Sequence, residues 1–140
     1  MAVADYLVDR SAIARDHLPE VAARVAGLRL AGRLAVCGIV ELELLFSAWN
    51  GTHHREMEAD LDITYERLYT EEEDFVRARE VQRELADTGR HRTVSLPDLL
   101  IAAVAERHRV TVLHYDADFD LIAEVTGQPT QWVVPKGSLN

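Results

Sequence analysis

Apolar residues along this chain fall into two alternating spacings. Short runs at Tyr6-Leu7-Val8, Leu34-Ala35-Val36-Cys37, Val110-Thr111-Val112-Leu113 and Trp132-Val133-Val134 read as strands. Between them the spacing is helical. Ala12, Leu18, Val21, Ala22, Val25 and Leu28 predict helical segments broken near Pro19 and ending at Gly27 or Gly32. Residues 41–49, with Leu42, Leu44, Leu45, Phe46 and Ala48, predict a helix buried on more than one side, and Asn50-Gly51 then punctuates the chain. Residues 53–62 are polar and predict another helix, and 63–69 hold a candidate third strand. Phe75, Ala78, Val81 and Leu85 share one face of an amphipathic helix that carries Glu71, Glu72 and Glu73 in its first turn and closes at Gly89. Residues 99–105 are apolar on almost every side, as in a core helix, and 117–125 form a helix stopped by Gly127. Strands alternating with helices imply parallel βαβ units. The expected fold is α/β, a central parallel sheet of four to five strands flanked by helices. No internal repeat or linker interrupts it, so one domain is expected over residues 1–140.

Composition narrows the class without naming a chemistry. At 140 residues, 48% hydrophobic and 28% charged, the chain can bury a core without staples. No apolar run approaches the roughly 20 residues that span a bilayer. The run from Tyr6 is broken at Asp9, so no signal peptide is expected. Cys37 is the only cysteine, which rules out an internal disulfide and makes a buried strand position its natural place. A cytoplasmic protein without membrane partners is expected. The net charge of -9 argues against non-specific coating of nucleic acid. It does not argue against a nuclease, because acids that hold a metal contribute to that total.

The candidate chemistry lies where the strand runs end. Asp9 follows the first run, Glu41 and Glu43 follow the second, Asp98 follows Ser95-Leu96-Pro97, and Asp116 and Asp118 follow Val110-Thr111-Val112-Leu113. Ligands of open parallel sheets bind beyond the carboxyl ends of the strands. Acids gathered there repel one another unless a cation neutralises them. Taken singly, each acid has a plainer reading: Asp9 and Asp116 as helix caps, Glu41 as a first-turn residue, and Asp98 as the far end of a capping box with Ser95. Glu43 fits that reading least, because it sits between Leu42 and Leu44-Leu45, where an acid is rarely buried unpartnered. Jointly, acids at successive strand-to-helix junctions suit a magnesium or manganese site acting on phosphate.

Four segments carry a resemblance: Tyr6-Leu7-Val8-Asp9-Arg10-Ser11-Ala12, Cys37-Gly38-Ile39-Val40-Glu41-Leu42-Glu43-Leu44-Leu45, Val94-Ser95-Leu96-Pro97-Asp98-Leu99-Leu100-Ile101-Ala102, and Val112-Leu113-His114-Tyr115-Asp116-Ala117-Asp118-Phe119. In order and spacing, over nearly the whole chain, they resemble a PIN-domain nuclease, and more narrowly a VapC-type toxin ribonuclease of a toxin–antitoxin pair. The resemblance places the family's four metal-binding acids on Asp9, Glu43, Asp98 and Asp116, with Asp118 as an additional ligand. It prefers Glu43 to Glu41 because the family's acid precedes a pair matched here by Leu44-Leu45. Ser11 matches the family's small hydroxyl residue. Many relatives have threonine two residues before the fourth acid, where this chain has His114.

The resemblance implies Mg²⁺- or Mn²⁺-dependent hydrolysis of an RNA phosphodiester in transfer, ribosomal or messenger RNA. Asp9 and Asp98 are expected as direct ligands, with Glu43 and Asp116 completing the shell. Arg10, Ser11 and Arg92 are expected at the substrate. A homodimer and an inhibitory VapB-type antitoxin are also implied, with Leu18, Val21, Val25 and the helices around Phe46 and Trp49 as docking surfaces. The alternatives are a phosphoacceptor receiver-like signalling domain, for which Lys136 would supply the required lysine, and a catalytically degenerate binding module.

Overall fold

A computed structural model describes residues 3–139. Among these the elements run β1 (Tyr6–Val8), α1 (Arg10–Ile13), α2 (Pro19–Leu30), β2 (Leu34–Cys37), α3 (Gly38–Leu45), α4 (Gly51–Thr64), β3 (Glu66–Leu68), α5 (Glu72–Asp87), α6 (Leu96–His108), β4 (Thr111–His114), α7 (Asp118–Thr126) and β5 (Thr130–Trp132). The five strands pair in the order β3-β2-β1-β4-β5, all parallel. The chain therefore leaves β1 toward β2 on one side and returns to β4 on the other. That reversal puts a topological switch point at the carboxyl ends of β1 and β4, where such sheets leave a crevice. Val8 is in register with Leu113, so the residues that follow the two strands emerge side by side.

The sheet is buried on both faces. Leu7, Val8, Leu34, Ala35, Val36, Cys37, Val112 and Leu113 are all core residues, as parallel strands covered by helices require. Helix α6 runs through the middle of the domain and buries Leu99 together with every residue from Ile101 to Ala105, which accounts for its lack of a polar face. Pro97 is tolerated in its first turn, where no intrahelical donor is lost. Gly127 ends α7 at φ +70°, a conformation costly for a residue with a Cβ.

The structure corrects several sequence expectations. Helix α3 begins at Gly38, three residues earlier than expected, and stops at Leu45. It is less buried than the expected two-sided burial: only Val40 and Leu45 are buried, Leu42 is exposed, and beyond its end Phe46 is 92% exposed and Trp49 is 85% exposed. Val21 and Val25, expected on a docking surface, pack in the core. Phe75, expected on the buried face of α5, is half exposed. The last strand is residues 130–132 rather than 132–134. Val133 and Val134 are nonetheless buried, and the Val133 N–H donates to the His114 carbonyl at 2.7 Å.

Candidate metal centre

Asp9 leaves the end of β1 and performs two tasks. Its Oδ2 accepts the Ser11 N–H at 3.0 Å and so caps α1, while its own N–H donates to the Leu113 carbonyl at 2.9 Å and ties it to β4. Capping occupies one carboxylate oxygen and leaves the other. Ser11 extends the brace, because its hydroxyl accepts the Tyr115 N–H at 2.9 Å.

Asp98 is presented differently. Ser95 caps α6 by accepting the Asp98 N–H at 3.3 Å, as its position predicts. The reciprocal half of the expected capping box is missing. The Ser95 N–H goes instead to Asp118 Oδ2 at 3.1 Å, so the Asp98 carboxylate is not drawn back onto its own helix. Asp118 is held in turn by Asp116, whose Oδ1 accepts the Asp118 N–H at 2.9 Å. Glu43 reaches in from α3.

These side chains line one cleft of about 260 Å³, made by Asp9, Arg10, Ser11, Glu43, Ser95, Pro97, Asp98, Asp116 and Asp118. One carboxylate oxygen each from Asp98, Asp116 and Asp118 lies within 4.8 Å of the others. Asp118, expected as an addition to a quartet, thus belongs to the tightest set, while Asp9 and Glu43 line the same cleft. A larger groove of about 430 Å³ between α3, α5 and α6 contains no acid and meets the cleft only at Pro97.

Burial and mutual repulsion both act on the acids. Burial, then the charge of Asp9, a hydrogen bond with the Asp118 side chain, and the charges of Asp116 and Asp118 push the Asp98 carboxyl far above the usual carboxylate range, to about 9. Asp9 is raised chiefly by burial, against the lowering effect of its hydrogen bonds from Ser11. Glu43 is raised by burial and by Asp9, with Arg10 opposing. Such a group is poorly solvated as polyanions and would gain most from a cation. Glu43 Oε1 is buried with no hydrogen-bond partner among the described residues, as is Nε2 of His114. A buried carboxylate oxygen left unpaired is costly. An all-oxygen set of this kind fits a hard divalent cation such as Mg²⁺ or Mn²⁺.

The other sequence candidates fall in different places. Glu41 faces away from the cleft and is gripped by Arg67, whose Nε and Nη2 donate to its carboxylate at 2.9 and 2.7 Å. Arg10 is the one basic residue lining the cleft. Arg92 is exposed on the turn before Ser95, outside the cleft lining. Its neighbour Arg90 bonds Glu124 at 2.9 Å. Lys136 bonds Asp120 Oδ2 at 3.2 Å and lies over the Trp132 ring, so it is not placed among the acids as a receiver would need. The role of Ser95 as a link to Asp118 was not foreseeable, since the two residues are 23 positions apart and only the fold joins them.

The model of the PIN domain matches residues 6–125 of the chain. Ribonuclease VapC21 of Mycobacterium tuberculosis is 47% identical over 133 residues, covering 95% of this chain and 96% of that protein. Ribonuclease VapC18 of the same organism is 42% identical over 136 residues, covering 96% and 98%. The fold is similar to that in DNA-bound VapBC from Salmonella typhimurium, with a TM-score of 0.72 at 16% identity, covering 94% of this chain and all of that one.

Proposed function

The chain belongs to the PIN-domain family, and from that premise we propose that it is a VapC-like toxin, a divalent-metal-dependent endoribonuclease held inactive by a cognate VapB-type antitoxin. The observation that carries this reading is the convergence of five acids, from four separate segments, on one cleft with an unpaired buried oxygen. The relatives named as VapC ribonucleases match over 95–96% of this chain, which supports the reading.

Asp98, Asp116 and Asp118 would hold a Mg²⁺ or Mn²⁺ ion, with Asp9 and Glu43 completing its surroundings directly or through water. A divalent cation at this place would lower the pKa of an attacking water and offset the charge that builds on the phosphate oxygens. The chain's own residues do the rest. Arg10 offers its guanidinium to a phosphate oxygen, a contact that positions RNA without reading its sequence. Arg92 would meet the backbone farther along, on the loop that leads to α6. Ser11 accepts the Tyr115 N–H and hydrogen-bonds Asp9, and from that position would meet the substrate at the edge of the cleft. Asp9, capped at one oxygen, keeps the other toward the reacting centre.

The substrate is RNA: transfer RNA, ribosomal RNA or messenger RNA. The exposed Phe46 and Trp49 support contact with a partner, either the antitoxin or a second copy of the chain in a homodimer. Among the described residues no helix is long and apolar enough to cross a membrane, and we place the protein in the cytoplasm as one domain over residues 1–140.

The test is an RNA-cleavage assay on the purified protein with Mg²⁺ or Mn²⁺ and with chelator, set beside Asp98→Asn. Cleavage that needs metal and disappears in a folded Asp98→Asn protein is expected. Equal cleavage by both proteins would remove Asp98 from the chemistry, and a stable acyl-phosphate formed with a small phosphodonor would favour the receiver reading instead.

A further inference from the structure

The fourth strand ends on a residue that the proposed reaction leaves unused. His114 is completely buried, and its ring packs against Phe119 at 5.0 Å and Trp132 at 4.9 Å between ring centres. Its Nδ1 lies 3.1 Å from the backbone nitrogen of Asp116 and accepts that N–H. An acceptor at Nδ1 puts the ring proton of the neutral imidazole on Nε2, the nitrogen that has no partner. The tolerated defect at Nε2 draws attention to what Nδ1 accomplishes.

We propose that His114 is a positioning residue of the metal centre, acting as the hydrogen-bond acceptor that fixes the Asp116 backbone and through it the tight group of carboxylates. The inference rests on the reading of those carboxylates as cation ligands. Three links carry it outward. The Asp116 N–H is held by His114, the Asp118 N–H by Asp116 Oδ1, and the Ser95 N–H by Asp118 Oδ2. Ser95 then caps α6 at Asp98. One acceptor at the end of β4 therefore sets the relative orientation of three acids on two further elements. Groups behind the ligands commonly govern metal affinity in this way.

The function assigned is the acceptor and not the ring. A threonine hydroxyl two residues before the acid can accept the same N–H. His114 thus serves the acids through one lone pair, at Nδ1.

The test compares His114→Thr with His114→Val. The two side chains have nearly the same shape and both lose the ring packing, so in chelator they should differ only by the unpaired Asp116 N–H, with the valine variant melting several degrees below the threonine variant. Only threonine can accept the Asp116 N–H. Mn²⁺ affinity, read from the EPR signal of free Mn²⁺, should stay within about threefold of wild type in His114→Thr and fall tenfold or more in His114→Val. Equal affinity in the two variants overturns the proposal. Should the valine variant not fold, the wild-type ring decides: ¹⁵N NMR should show Nε2 protonated and Nδ1 as acceptor, and a proton on Nδ1 overturns it. Failure of wild type to bind Mn²⁺ would sink the metal centre itself, which separates that failure from this one.

Discussion

Replacing Asp98 by asparagine should stabilise the metal-free protein. The carboxyl is 5% exposed and faces Asp9, Asp116 and Asp118, which with burial hold its proton to about pH 9. In the unfolded chain it ionises near 3.8. A folded-state value above the unfolded one means that its favourable contribution is complete below pH 3.8 and is lost as pH rises toward 9. Each pH unit in that window costs about 1.4 kcal/mol, so about 4 kcal/mol is gone by pH 7. Sharing of protons among the neighbouring acids makes this an upper figure. Asparagine keeps the shape and escapes the penalty, so Asp98→Asn should gain roughly 2–4 kcal/mol at pH 7, or a Tm higher by roughly 8–16 °C for a chain of this size. His114 has the opposite dependence: burial lowers it to about 4, so its contribution is lost as pH falls below its ordinary value. That contribution is common to both proteins and cancels in their difference. The assay is thermal melting of both proteins in chelator at pH 4.5 and pH 7, repeated at pH 7 with Mn²⁺. The gap should be small at pH 4.5 and large at pH 7, and Mn²⁺ should raise the wild-type Tm while leaving the variant unmoved. A variant that melts below wild type in chelator at pH 7 would refute the reasoning, as would a variant that responds fully to Mn²⁺.

Other positions are predicted on the same footing. Asp74 is almost wholly buried and accepts both Arg107 and the Glu71 N–H. Burial pushes its carboxyl up, but these bonds outweigh it and hold it below the usual range. Its stabilisation is therefore present at neutral pH and lost on acidification, and Asp74→Ala should cost about 2–3 kcal/mol in chemical denaturation while leaving Mn²⁺ affinity unchanged. Cys37 has its thiol pushed up to about 12, mainly by burial, so it should resist a thiol reagent in the native protein and react once guanidinium unfolds it. Arg67→Ala should cost about 1 kcal/mol through the loss of Glu41's partner and leave RNA cleavage intact, since that pair lies outside the cleft.

Much of this arrangement was legible in the residues, and what escaped did so for identifiable reasons. The alternation of apolar runs with helical spacings predicts a parallel sheet, because strands so separated are joined by crossovers. It says nothing about strand order, and the order is what brings Asp9 beside Asp116. The strand read at Leu34-Ala35-Val36-Cys37 ends where β2 ends, but the chain turns directly into α3 at Gly38 rather than at residue 41. That early start explains how two glutamates two residues apart divide their roles. Two residues on a helix are about 200° apart, so Glu43 reaches the cleft while Glu41 turns to Arg67 on β3. Phe46 and Trp49 mislead because apolarity measures what water rejects, whereas Phe46 stays exposed and Trp49 is met only on one face, by the His53 ring at 4.3 Å, among the described residues. The opposition between cap and ligand dissolves in the structure. Asp9 gives one oxygen to Ser11, and Asp98 is left facing the cleft because Ser95's donor is claimed by Asp118.

The account stands on a divalent cation sharing the oxygens of Asp98, Asp116 and Asp118. A crystal soaked in Mn²⁺ and measured for anomalous scattering tests this directly. A peak within about 2.5 Å of carboxylate oxygens from at least two of these residues is expected. Its absence from the cleft at saturating Mn²⁺, or its appearance only elsewhere on the surface, would contradict the account.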